Sequence, residues 1–185
     1  LLPMIIFTSS KGQDFIRTTP PLPATEPEFQ DKARELNTLL QHMGLNDLQQ
    51  LMGISLPLAE RTREQILAFA AATVKPALLT YHGEAYRSLE ATGFTTDDFR
   101  YAQAHFRILS GLYGILRPLD LIAPHRLEMG YKLVNPEGEN LYPYWSGVVT
   151  AHLNAALQQE RAPLLINLAS LEYSRAVEKK KLCAP

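Results

Sequence analysis

Gly111 and Gly114 bracket two apolar residues, Leu112 and Tyr113, directly after the strongest helical pattern in the chain. This feature restricts the fold more than any other. A helix arriving at Gly111 has to stop there, because glycine at each end of a two-residue tip permits positive φ and close approach of another backbone. The helix opens at Thr95, where Thr95 and Asp98 stand at capping-box spacing with the shorter acid in the glutamate position. Phe99, Ala102, Phe106 and Leu109 then recur at helical spacing. A helix running to Gly111, a tight hairpin at 111–114 and a basic continuation through Arg117 and Arg126 are expected. Together they predict a helix-hairpin-helix element over about 96–130.

The remaining chain alternates strand and helix. Met4–Thr8 and Leu164–Leu168 are short apolar runs that read as buried strands, and Val74–Tyr81 and Tyr131–Val134 read as further strands. Helices are expected over Glu28–Met43, Asn46–Met52, Pro57 to about Ala72, Ala85–Leu89 and Tyr144–Glu160. Four prolines make 18–27 an irregular connection. The alternation predicts an α/β architecture, a mixed sheet with surrounding helices, in one domain over 4–185 with Met4 as the natural start.

Composition narrows the class. The chain has 185 residues, 46% hydrophobic and 20% charged, as expected of a globular protein. Its net charge of −1, from 18 basic and 19 acidic residues, argues against a dedicated basic nucleic-acid binder. The distribution is uneven. Glu26–Glu64 holds seven acids and four bases, whereas Arg100–Lys132 holds five bases and two acids, so one positive face is possible on a near-neutral protein. Cys183 is the only cysteine, which excludes an internal disulfide and fits a reducing compartment. With no apolar run of membrane-spanning length and no signal-peptide pattern, a cytoplasmic protein without a membrane partner is expected.

Three groups of residues could carry chemistry. The first is the hairpin, Gly111, Tyr113 and Gly114, whose amides could hold a phosphate with help from Arg117 and Arg126. A tightly packed turn with solvated arginines is the plainer alternative. The second is Lys11 and Asp14 in the loop after the first strand, with Ser170, Glu172 and Tyr173 after the last. In open α/β sheets ligands bind beyond the carboxyl ends of strands. If the two strands are parallel neighbours, these five candidate catalytic residues face one cleft; otherwise Ser170 caps a helix and Lys11 and Asp14 form a surface pair. The third is the cluster Lys179, Lys180 and Lys181, a solvated face or an extension of a phosphate track. Arg126 and Glu128, which flank one apolar residue, could be a structural ion pair or members of the same cleft as the second group. His42, His82, His105, His125 and His152 show no metal spacing, and HExxH, GxSxG and GxGxxG motifs are absent. No metal or cofactor is expected. Trp145, with Tyr142 and Tyr144, reads as core or groove packing.

Several strings resemble the YaaA family of bacterial peroxide-stress resistance proteins: Asp98–Phe99, Leu109–Gly114, Leu116–Asp120, Arg126–Gly130, Ile166–Ser170 and Glu172–Tyr173. The resemblance runs from Met4 to the end, and it implies a cytoplasmic bacterial protein that binds double-stranded DNA through a positive cleft. It also implies a helix-hairpin-helix and a role in limiting peroxide and iron damage. By position, Gly111–Gly114 would be the hairpin, Arg117 and Arg126 would line the basic surface, and Lys11 and Asp14 would match the lysine and aspartate of an N-terminal SPAKTxD pattern. Family members continue beyond Pro185, so an unpaired sheet edge is expected.

The leading expectation is therefore a non-enzymatic, non-specific DNA-binding stress protein. Arg107, Gly111, Tyr113, Gly114, Arg117, Arg126, Lys132 and Lys179–Lys181 would form its surface. The rival is an enzyme acting on a nucleotide or nucleic acid through Lys11, Asp14, Ser170, Glu172 and Tyr173. An iron-handling protein ranks third, for want of a ligand motif.

Overall fold

A computed structural model describes all 185 residues. Its strands are β1 (Met4–Thr8), β2 (Gly12–Gln13), β3 (Lys75–Pro76), β4 (Tyr81–His82), β5 (Phe106–Ser110), β6 (Gly114–Leu116), β7 (Leu121–Ile122) and β8 (Leu165–Asn167). Its helices are α1 (Gln30–Gln41), α2 (Leu45–Met52), α3 (Leu56–Ala68), α4 (Ala77–Thr80), α5 (Glu84–Leu89), α6 (Thr96–His105), α7 (Leu141–Gln159) and α8 (Leu171–Ser174). The mixed α/β class is as expected.

A four-stranded sheet in the order β6-β5-β1-β8 forms the centre. β1 is parallel to both β5 and β8, and only β6 runs antiparallel. Met4 and Ile6, two apart and so on one face, are fully buried, each stabilising the fold by about 1.5–3 kcal/mol. Met4 packs with Ala156 and Leu157 of α7. Phe7, on the opposite face, meets Tyr86 of α5 and Phe106. Helices thus cover both faces of β1, as its apolar sequence requires.

The helix-hairpin-helix expectation is corrected. The helix capped by Thr95 stops at His105, and the chain continues as β5 rather than as helix. Gly111–Tyr113 is a turn between two antiparallel strands, with Ser110 paired to Gly114. Pairing of Phe106–Leu109 with Ile5–Thr8 outweighs the local helical spacing. The hairpin is also interior. Tyr113 is 1% exposed and Gly111 and Gly114 are buried, so their amides face protein. A Cβ on Gly111 would lie 2.1 Å from Leu127 O, so the 127–128 backbone rests directly on that glycine.

Two smaller expectations also change. Val74–Tyr81 divides into β3, the single turn α4 and β4, because Pro76 lacks the amide a continuous strand needs. Tyr131–Val134 forms no strand.

Candidate functional site

The parallel strands set the site. β1, β5 and β8 end side by side, and the chain leaves β1 through Ser9–Lys11 and β8 through Ala169 and Ser170. These exits are stitched together: the Ser170 amide donates to Thr8 Oγ1 at 2.9 Å. Segment 126–130 lies across them, seated on Gly111. Ser9, Ser10, Lys11, Arg126, Glu128 and Tyr173 then line one shallow depression. Its enclosed volume is about 10 Å³, room for roughly one water molecule.

Glu128 is the anchor of this cleft. It accepts a hydrogen bond from the hydroxyl of Tyr173, a side chain only 2% exposed. Burial, reinforced by the Glu128 charge, raises the Tyr173 pKa well above the usual phenol range, so the phenol stays a donor. Two residues on, the Gly130 amide donates to Glu172 at 3.0 Å. Consecutive residues of α8 thus pin both ends of 128–130.

A second polar layer lies beneath. Tyr86 donates to Thr8 O at 2.7 Å, and the Tyr113 hydroxyl accepts from the Ala123 amide at 3.0 Å. His125 Nδ1 lies 2.7 Å from Ala123 O, which places the proton there and turns the Nε2 lone pair toward the Tyr81 hydroxyl, 3.4 Å away. Burial lowers the His125 pKa to about 4, so the ring is neutral at physiological pH.

The predicted catalytic set divides. Lys11 and Tyr173 share the cleft, with Ser170 next to it on Thr8. Glu172 turns to Gly130, and no ion pair joins it to Lys11. Asp14 lies elsewhere: its carboxylate accepts from the amides of Ile16 and Arg17 at 3.0 and 3.1 Å, which lowers its pKa. Lys75 donates to its carbonyl, and the two residues line a separate cavity of about 350 Å³.

The predicted DNA-binding set is dispersed as well. Arg126 is in the cleft, and Lys132 is exposed in a neighbouring groove beside Tyr131. Arg117 is held by Asp120, with Nε 3.1 Å from Oδ1 and the backbone amide 2.7 Å from Oδ2. Arg107 is 7% exposed and folds back on α6, donating to Gln103 O at 2.9 Å and Phe106 O at 2.7 Å. Lys179–Lys181 form a short turn bound to α7, where Asn154 donates to Lys181 O. Sequence reasoning missed Tyr81, Tyr86 and His125, which carry no motif and meet the site only through the fold.

The family described as "Peroxide stress protein YaaA" matches residues 4–185. The chain belongs to that family. Similar proteins include one from Albidiferax ferrireducens, 40% identical over 98% of this chain and 71% of its own length. Others come from Dinoroseobacter shibae, 41% identical over 98% and 69%, and Teredinibacter turnerae, 40% identical over 98% and 72%. Each is named only as a UPF0246 protein. The YaaA resemblance read from Leu109–Gly130 and Ile166–Tyr173 is thereby shown for the whole of 4–185. Membership of the YaaA family points to a role in oxidative stress. No helix is long and apolar enough to cross a membrane.

Proposed function

We propose that this chain serves the peroxide-stress response by binding duplex DNA, limiting peroxide and iron damage to it, in the reducing cytoplasm that its free Cys183 suits. The contacts are to phosphates and carry little sequence preference. One observation carries the reading: Lys11 and Arg126 stand on one cleft, and neither is engaged in an ion pair. Ser9 and Ser10 line the same cleft, Glu128 is engaged there by Tyr173, and Lys132 is exposed in the neighbouring groove. The size of the cleft favours a backbone over a metabolite. Small-molecule sites enclose about 300–1,000 Å³, and about 10 Å³ is far too little. An exposed phosphate needs only a rim.

The test is binding of a random-sequence duplex across a salt series, with wild type beside a Lys11→Ala, Arg126→Ala double variant. Each phosphate contact contributes about 0.9 to the slope of log K against log salt. Loss of both should lower the slope by nearly 2. Salt-insensitive binding, or an unchanged slope in the variant, overturns the proposal.

A further inference from the structure

The largest cavity is not the cleft. It lies beneath α6 and α7 and the irregular segment after residue 21, and encloses about 690 Å³. Phe29, Phe99, Leu119 and Val148 give it an apolar bed. Arg107 lines it and is more than nine-tenths buried.

The arginine is rigidly held and incompletely used. Its Nε donates to His152 Nε2 at 2.9 Å, which leaves the imidazole proton on Nδ1, where it is donated to Glu28. Its Nη1 is taken by helix carbonyls. Its Nη2 makes no hydrogen bond within the protein. The one sealed side-chain polar atom lacking a partner is His105 Nδ1, so Arg107 Nη2 keeps access to solvent, and the cavity is the opening Arg107 lines. Arg117 lines the same cavity, close enough for its charge to disfavour the Arg107 charge; burial and that repulsion lower the Arg107 pKa to about 10. Asp120 is paired with Arg117, so the free Nη2 of Arg107 is the donor that an anion in the cavity would meet.

We propose that this cavity is a binding site for an organic monoanion, a carboxylate on an apolar body, with Arg107 as the anchor of the headgroup. The size lies within the range of small-molecule sites. Guanidinium supplies donors only, so the ligand must supply acceptors. A doubly charged phosphate fits less well, because Glu28 and Glu160 also line the cavity. Glu28 itself is engaged by His152 and half-exposed, so it flanks the headgroup position without occupying it.

Octanoate, octylamine and octanol serve as probes, each titrated into the full chain by calorimetry at neutral pH. Octanoate should bind saturably at one site by about 1 mM, and the amine and alcohol at least tenfold more weakly. Arg107→Met should weaken octanoate at least tenfold. Because loss of Arg107 also strips partners from α6, a second variant leaves it in place: Ala151→Trp, on the cavity wall, should weaken octanoate tenfold while the circular dichroism spectrum is unchanged. No octanoate binding overturns the proposal. So does amine or alcohol binding of equal strength, or a folded Ala151→Trp protein that binds octanoate as wild type does. None of these outcomes bears on the Lys11–Arg126 cleft, where a different ligand and different residues are read out.

Discussion

Gly114 lies against the indole of Trp145: a Cβ built on the glycine would stand 2.4 Å from Cε3, and its backbone φ is +74°. Trp145 is fully buried, and its Nε1 donates to Gly111 O at 2.8 Å. One tryptophan therefore clamps both ends of the β5–β6 turn. Gly114→Ala meets a steric clash and an unfavourable φ together. It should lower stability by about 2–4 kcal/mol, read as a shifted urea midpoint. A midpoint within experimental error of wild type would show that the turn has slack.

Arg117→Ala should act on stability before it acts on DNA. Asp120 is 1% exposed and also takes a hydrogen bond from Thr25 at 2.6 Å, so removing the guanidinium leaves a buried carboxylate short of its cation. A loss of about 2–4 kcal/mol follows, with the salt slope of DNA binding unchanged. A lowered slope in a protein of wild-type melting temperature would place Arg117 on the nucleic acid instead.

Tyr173→Phe keeps the buried ring and deletes only the donor to Glu128. The expected cost is about 1 kcal/mol, against about 3–5 kcal/mol for Tyr173→Ala, which also empties the space under α8. Equal costs for the two variants would mean that the hydroxyl, and not the packing, holds 126–130 in place.

His125 makes an acid limb in the stability curve. Its pKa is about 4 in the folded chain, against about 6.5 unfolded. Between those values the unfolded chain binds the extra proton, so this contribution is complete above about pH 6.5 and is lost as pH falls toward 4. The full shift corresponds to about 3 kcal/mol; the ring borders the cleft and is only partly shielded, so about 2 kcal/mol is the expected span. His125→Gln should flatten this limb relative to wild type. Parallel pH profiles for the two proteins would contradict the assignment.

Some of this was legible in the sequence. β1 and β8 were readable as strands because four apolar residues in five, bounded by turn signals, have few other uses, although β8, expected to be buried, is an exposed edge, with Ile166 37% and Leu168 just after it 67% exposed. The Thr95–Asp98 box was readable because capping is local: the Thr95 amide donates to Asp98 at 2.8 Å. Phe106–Ser110 was misread because its apolar spacing suits a helix as well as a buried strand. Its partner lies about a hundred residues earlier, beyond the reach of any local signal. Arg107 shows the same limit for charge. A basic residue in a basic stretch suggests a surface, yet Nε and Nη1 of Arg107 are taken by His152 and by the last turn of α6, and the side chain is buried. The cleft was largely legible: the parallel exits of β1 and β8 assemble Lys11, Ser170 and Tyr173, and Arg126 and Glu128 join it as cleft members, not as an ion pair with each other, because Gly111 lets another backbone lie on it.

The strand order has a kinetic consequence. β1 is made first and sits inside the sheet, but its neighbours β5 and β8 begin about 100 and 160 residues later. At translation rates of about 5–20 residues per second, β1 emerges and then waits roughly 8–30 s for its second partner. For about the first 5–20 s of that interval, until β5 emerges, Met4, Ile6 and Phe7 have no sheet to join. The N-terminal strand is therefore the segment of a nascent chain most in need of a chaperone, and fusing an early-folding domain after Thr8 would lengthen the wait.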